Sequence, residues 1–192
     1  MSLVERAKNI ILQPKREWPV IDAEPTTIGE LYTRYIIPLS AIPPIASFIG
    51  FSVFGMHVPL LGTFRIPIGT AISSAIAQYV LGLAGIYVFA LIIDALAPNF
   101  GGQKNHIQAL KVAAYSSTAA WLAGIFAIIP ALSWLGILGL YSLYLLYLGL
   151  PVLMKSPPDR ALGYTVVVIL AGIVIFFIIG VIASRLIYYP MM

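Results

Sequence analysis

The sequence predicts an all-α, polytopic membrane protein: five transmembrane helices with an N-terminal interfacial amphipathic helix. Three observations carry this prediction. Sixty per cent of the 192 residues are hydrophobic, 9% are charged and mean hydropathy is +0.98, a balance outside the range of water-soluble domains. Several apolar runs reach 20 or more residues, each long enough to cross a hydrocarbon core of roughly 30 Å. The basic residues sit at the ends of those runs, which assigns the net charge of +4 to lipid headgroups rather than to nucleic acid.

Residues 1–30 form the interfacial segment. Ser2 followed by Glu5 has the spacing of a capping box. Leu3, Val4, Ala7, Ile10 and Ile11 fall on one face of the helix it opens, while Glu5, Arg6, Lys8 and Asn9 fall on the other. Pro14 ends the pattern, and Lys15, Arg16 and Trp18 follow as headgroup and interface anchors. Such a segment lies flat on the membrane or docks on the protein's own loops. Its charges, which include Glu17, precede any long apolar run, unlike a cleavable signal peptide.

Residues 31–192 form the transmembrane domain. The first span, about 31–54, contains Pro38, Pro43 and Pro44. Each removes a backbone donor and crowds the preceding turn, so this span is expected to be kinked or broken and to lie against protein. Residues 55–67 read as a short loop with His57 and Arg65. The second span, about 68–96, is rich in Ala, Ser and Gly, which permit close helix approach. Phe100-Gly101-Gly102 reads as a helix stop and turn. Along the third span, about 107–129, runs a small-residue stripe of Ala113, Ser117, Ala120 and Gly124. The fourth, about 131–153, follows almost without a loop and makes a tight antiparallel pair with it. The fifth, about 163–187, is apolar nearly throughout.

With a cytoplasmic N-terminus, Arg6, Lys8, Lys15, Arg16, Arg34, Lys104, Lys111, Lys155 and Arg160 lie inside and only Arg65 and Arg185 outside. Nine against two is a strong positive-inside bias. Trp134, Tyr188 and Tyr189 then suit the outer interface, and the C-terminus is outside.

Helical rise converts position into depth. Gln78, Ser116, Ser117, Thr118, Tyr141, Ser142, Tyr144 and the Pro43–Pro44 pair all fall about 14 to 20 Å into their spans. Together with Tyr115 they form a candidate midplane polar layer enclosed by the first four spans, leaving the fifth at the lipid-facing edge. The layer serves as interhelical packing, or it lines a cavity for a small ligand or ion. Asp94 lies roughly 39 Å along its helix. That places it, with Asn99 and Lys111, at a candidate cytoplasmic-edge site where pairing with Lys104 or Lys111, or simple solvation, is expected. Glu30 and Arg34 are spaced for an i,i+4 ion pair.

Chemistry for catalysis is sparse. The chain has no cysteine, which removes disulfides, thiolate nucleophiles and Cys-based metal sites. His57 and His106 are the two histidines, placed in loops on opposite sides of the membrane. No His/carboxylate spacing matches a metal site, and residues 100–102 lack the pattern of a phosphate loop. No catalytic residue, metal or cofactor is expected.

Five stretches, taken in order, carry a resemblance: NIILQPKREWPVI, YIIPLSAIPPIASFIG, LAPNFGG, AAYSSTAAWLAGIFAIIP and YSLYLLYLGLPVLMKSPPDRALGYTVVVI. The chain resembles bacterial members of the YIP family, five-span membrane proteins named for Ypt/Rab GTPase interaction in eukaryotes. Ala119 stands where family members often carry proline after the threonine of the third-span motif, so the family's kink there is not carried over. The resemblance implies a five-helix bundle, a cytoplasmic N-terminus and a bacterial inner membrane location. Eukaryotic relatives act in vesicle trafficking with small GTPases and tend to associate with one another. The GTPase role does not transfer, because bacteria lack Rab partners and the chain has no long cytosolic N-terminal domain. The expectation is a non-enzymatic protein acting by association with itself, with lipid or with other membrane proteins. The alternative is a small channel or transporter using the polar layer.

Overall fold

The computed structural model describes residues 1–58 and 62–188, without the side chains of residues 57, 58, 176, 179 and 182–188. Tyr189 therefore lies outside the described residues, as do the side chains of His57, Arg185 and Tyr188.

Two short helices come first. Helix α1, Leu3–Leu12, opens on the expected capping box: the Glu5 amide donates to Ser2 Oγ at 3.2 Å. Helix α2, Pro14–Ala23, starts directly on its proline, whose missing N–H is no loss at a first helical position.

Five helices long and apolar enough to cross a membrane follow, at Ile28–Phe54, Ile68–Phe100, His106–Ile128, Pro130–Leu153 and from Pro158 onward. The last continues as regular helix over Ala161–Tyr188. The first span is broken as its prolines require. It widens into π-helical turns at Tyr32–Ile36 and Gly50–Phe54 and is interrupted at Ala41. Pro38 has no N–H to offer the Arg34 carbonyl, and just ahead of it Ile37 N–H reaches back to Tyr32 O instead. Glu30 does not pair with Arg34. Its carboxylate accepts from the Thr27 amide at 3.0 Å, closing a capping box one turn upstream. Between the first two spans the expected loop holds a small antiparallel hairpin, β1 (Met56–Val58) against β2 (Gly62–Phe64), with His57 opposite Thr63.

The third span is the hub. In its most apolar window 56% of residues are buried, against 22% to 33% in the other four. It touches the first, second and fourth spans, whereas the fifth packs on the second and fourth at the edge. The small-residue stripe lets a neighbour come close. A Cβ added at Gly124 would stand 2.6 Å from the Pro43 ring, so at this point the proline-broken first span needs a glycine on the third. The fourth span is not an enclosing wall: its first half, Pro130–Leu140, is a 3-10 helix with Trp134, Ile137 and Leu138 exposed. This is a correction to the expected enclosure by four spans. The direct turn at Ile129 folds that half back on the third span, with the end of the first also beside it.

Candidate functional site

Helices α1 and α2 do not rest on loops. Ala7, Ile10, Trp18 and Ile21 are buried, and the pair packs along the third and fourth spans. The amphipathic stripe is thus turned into the protein, while Val4 and Leu12 stay exposed. Trp18 is the apolar anchor: its indole lies over Gly149 of the fourth span and meets Tyr115 edge-on, ring centroids 6.4 Å apart.

Polar contacts hold the same seam. The last carbonyls of α2 lack intrahelical donors, and the third span supplies them from one face. Lys111 Nζ donates to Ile21 O at 2.8 Å and to Glu24 O at 2.6 Å; Gln108 Nε2 donates to Asp22 O at 3.2 Å and to its carboxylate at 3.0 Å. A cation at a helix C-terminus also meets the negative end of the helix dipole, worth about 0.3–1 kcal/mol and up to ~2 when partly buried. Lys155, from the loop after the fourth span, pairs with Asp22, and the Tyr141 hydroxyl donates to Ile11 O at 3.0 Å.

Inside the seam lies a buried charge cluster. Arg6, 5% exposed, forms ion pairs with Glu17, also 5% exposed, and with Glu24. The guanidinium carbon sits 5.8 Å from the centroid of the Tyr115 ring, within reach of a cation–π contact. Burial alone would lower the Arg6 pKa, but the Glu24 hydrogen bond and the neighbouring Tyr115, Glu24 and Glu17 outweigh it, so the net shift is upward. Behind Tyr115 the Tyr35 ring packs at 4.5 Å, and its hydroxyl shares a 2.7 Å hydrogen bond with Thr118 Oγ1.

The predicted polar layer separates into parts. Tyr115 and Thr118 join Tyr35 at the inner wall of the seam. Ser116, Ser117 and Thr118 turn their hydroxyls onto their own helix, donating to Val112 O at 2.6 Å, Ala113 O at 2.8 Å and Tyr115 O at 2.8 Å. This back-bonding competes with the helix, and the third span is interrupted at Ser117 without any proline. Beyond the break, Ser142 Oγ accepts from the Ala120 amide at 2.9 Å. Tyr141 reaches α1, Tyr144 lies exposed with its ring 5.4 Å from that of Tyr141, and Pro44 is buried within the first span. Gln78 is a correction: it is exposed on the outside of the second span. That span's inward face runs through Ile86, Phe89, Ala90 and Ile93 instead.

The edge site is likewise not assembled. Half-buried Asp94 has an Oδ1 without a hydrogen-bond partner, Asn99 is exposed, and no hydrogen bond or ion pair joins either to Lys111. Lys111 is engaged by α2, which explains why its expected pairing with Asp94 does not form. Among the described residues no group of three or more His, Cys, Asp or Glu side chains could hold a metal ion.

Sequence reasoning missed the seam as a unit. A signal was present: Gln108, Lys111, Tyr115 and Thr118 recur at helical spacing on one face of an otherwise apolar span. Glu17 and Glu24 recur seven residues apart around Trp18 and Ile21.

Five spans, a charged N-terminal helix pair strapped along them and a bundle exposing mostly apolar side chains define a polytopic membrane protein. The Yip1 domain model matches residues 8–179, and the chain belongs to that family. It is 29% identical over 167 residues to the Inner membrane protein YohC of Escherichia coli K12, covering 84% of this chain and 85% of that protein. The YohC protein of E. coli O6:H1 matches equally. No solved structure matches the chain.

Proposed function

We propose that the protein acts without catalysis, by association with itself, with lipid or with other membrane proteins. In this reading it sits in a bacterial inner membrane with its N-terminus cytoplasmic and its C-terminus outside. The YohC relative's name and the positive-inside bias support that placement.

The observation that carries association is Gln78. Its amide faces outward about 15 Å along the second span and makes no hydrogen bond within the described chain. An amide at that depth is best satisfied by a partner outside the chain, and such pairing contributes about 0.6 kcal/mol on average. The back-bonded hydroxyls of residues 116–118 favour packing over a conduit.

Because the chain has no cysteine, single cysteines at Ile76 or Val80 report contact between copies by cross-linking in native membranes. A dimer band that weakens in Gln78→Leu is expected. A wholly monomeric protein whose proteoliposome ion flux is lost in Thr118→Val would contradict association and support the conduit.

A further inference from the structure

Two depressions on the outer surface meet at one tyrosine. The first, about 490 Å³, lies at the turn between α1 and α2 and is lined by Gln13, Lys15, Arg16, Tyr141 and Tyr144. The second, about 450 Å³, runs between the third and fourth spans and is lined by Ile11, Leu122, Ile125, Phe126, Leu138 and again Tyr141. Ile11 and Leu12, adjacent in the chain, join the two.

We propose that this composite groove binds one anionic phospholipid, its phosphate on Lys15 and Arg16 and an acyl chain along the third and fourth spans. The inference rests on the lipid-association reading above and names its site. Charge selects the headgroup. No carboxylate lines the first depression, neither Lys15 nor Arg16 is in an ion pair among the described residues, and both are exposed. The next acid in sequence, Glu17, is buried and engaged by Arg6, so the two cations are left uncompensated. Cations beside a membrane surface attract acidic lipids. Shape selects the chain: below the cations the wall changes to aliphatic and aromatic side chains in the outer half of the hairpin formed by the third and fourth spans. Tyr141 stands at the boundary between the two depressions, its hydroxyl tied to Ile11 O and its ring beside Tyr144.

The test is native mass spectrometry of the full chain released from detergent, titrated separately with dioleoylphosphatidylglycerol, dioleoylphosphatidylcholine and inorganic phosphate. One phosphatidylglycerol should be retained per chain with roughly tenfold preference over phosphatidylcholine, and inorganic phosphate should not displace it. Lys15→Gln with Arg16→Gln should abolish the preference, the charge-keeping Lys15→Arg with Arg16→Lys should restore it, and Leu122→Trp, at an exposed position, should reduce retention of both lipids. Equal retention of the two lipids, displacement by phosphate, or insensitivity to both the Gln and Trp variants would overturn the proposal. Cross-linking through the Gln78 face is a separate readout. A lost lipid with retained dimer sinks only this site, whereas a lost dimer with retained lipid sinks only self-association.

Discussion

Gly149 lies directly beneath the Trp18 indole, where an added Cβ would stand 2.6 Å from ring carbon Cζ2. A rigid ring cannot yield as a flexible chain end does, so only glycine fits. Gly149→Ala is therefore expected to lift α2 from the fourth span. Trp18→Ala should act in the same direction through the cavity it leaves, by about 3–5 kcal/mol. Limited proteolysis in detergent checks both: cleavage within residues 1–30 should accelerate while the spans stay intact.

Lys111→Met removes the donor to the Ile21 and Glu24 carbonyls. The buried Ile21 carbonyl left without a partner costs about 1–3 kcal/mol. Hydrogen exchange should show faster exchange in the last turn of α2, with little change in the fifth span, which packs on the second and fourth. Uniform protection of α2 in this variant would count against the Lys111 cap.

Arg6→Met leaves Glu17 as a buried carboxylate without its cation, a change expected to destabilise by about 3–5 kcal/mol. The sign of its pH dependence follows from the raised Arg6 pKa. A group whose folded pKa lies above its unfolded value contributes fully below the unfolded value, and the contribution is lost only as pH rises through the folded pKa. The difference in Tm between wild type and Arg6→Met should thus stay constant from about pH 7 to about pH 10.

Ser142→Ala removes the acceptor that caps Ala120 N–H just past the break in the third span. A loss of about 1 kcal/mol is expected, read as a lowered midpoint in denaturant titration. Ser117→Ala, which relieves back-bonding onto Ala113 O, should be neutral or slightly stabilising.

Much of the architecture was legible because it rests on local pattern. Run length marks the five spans, Pro38, Pro43 and Pro44 mark the broken first one, and Ser2 with Glu5 marks the start of α1. The site was less legible, because depth along a helix says nothing about which way a residue points. Gln78 and Thr118 have similar computed depths, yet one faces outward and the other is fully buried. Lys111 is, by depth, one of two lysines that could pair with the carboxylate of Asp94. It found uncharged carbonyls on α2, a pairing set by where a chemically distant segment docks and invisible to spacing rules. The break at Ser117 has a similar lesson: three consecutive hydroxyls can interrupt a helix where proline is absent.

Docking of the N-terminal helices on the bundle is measured most directly by electron paramagnetic distance spectroscopy in lipid nanodiscs. The cysteine-free chain accepts spin labels at Val20→Cys in α2 and Lys104→Cys ahead of the third span, both exposed. The expected result is one narrow distance distribution that broadens when Trp18→Ala is added. A broad distribution in the otherwise unaltered chain, unchanged by Trp18→Ala, would contradict it.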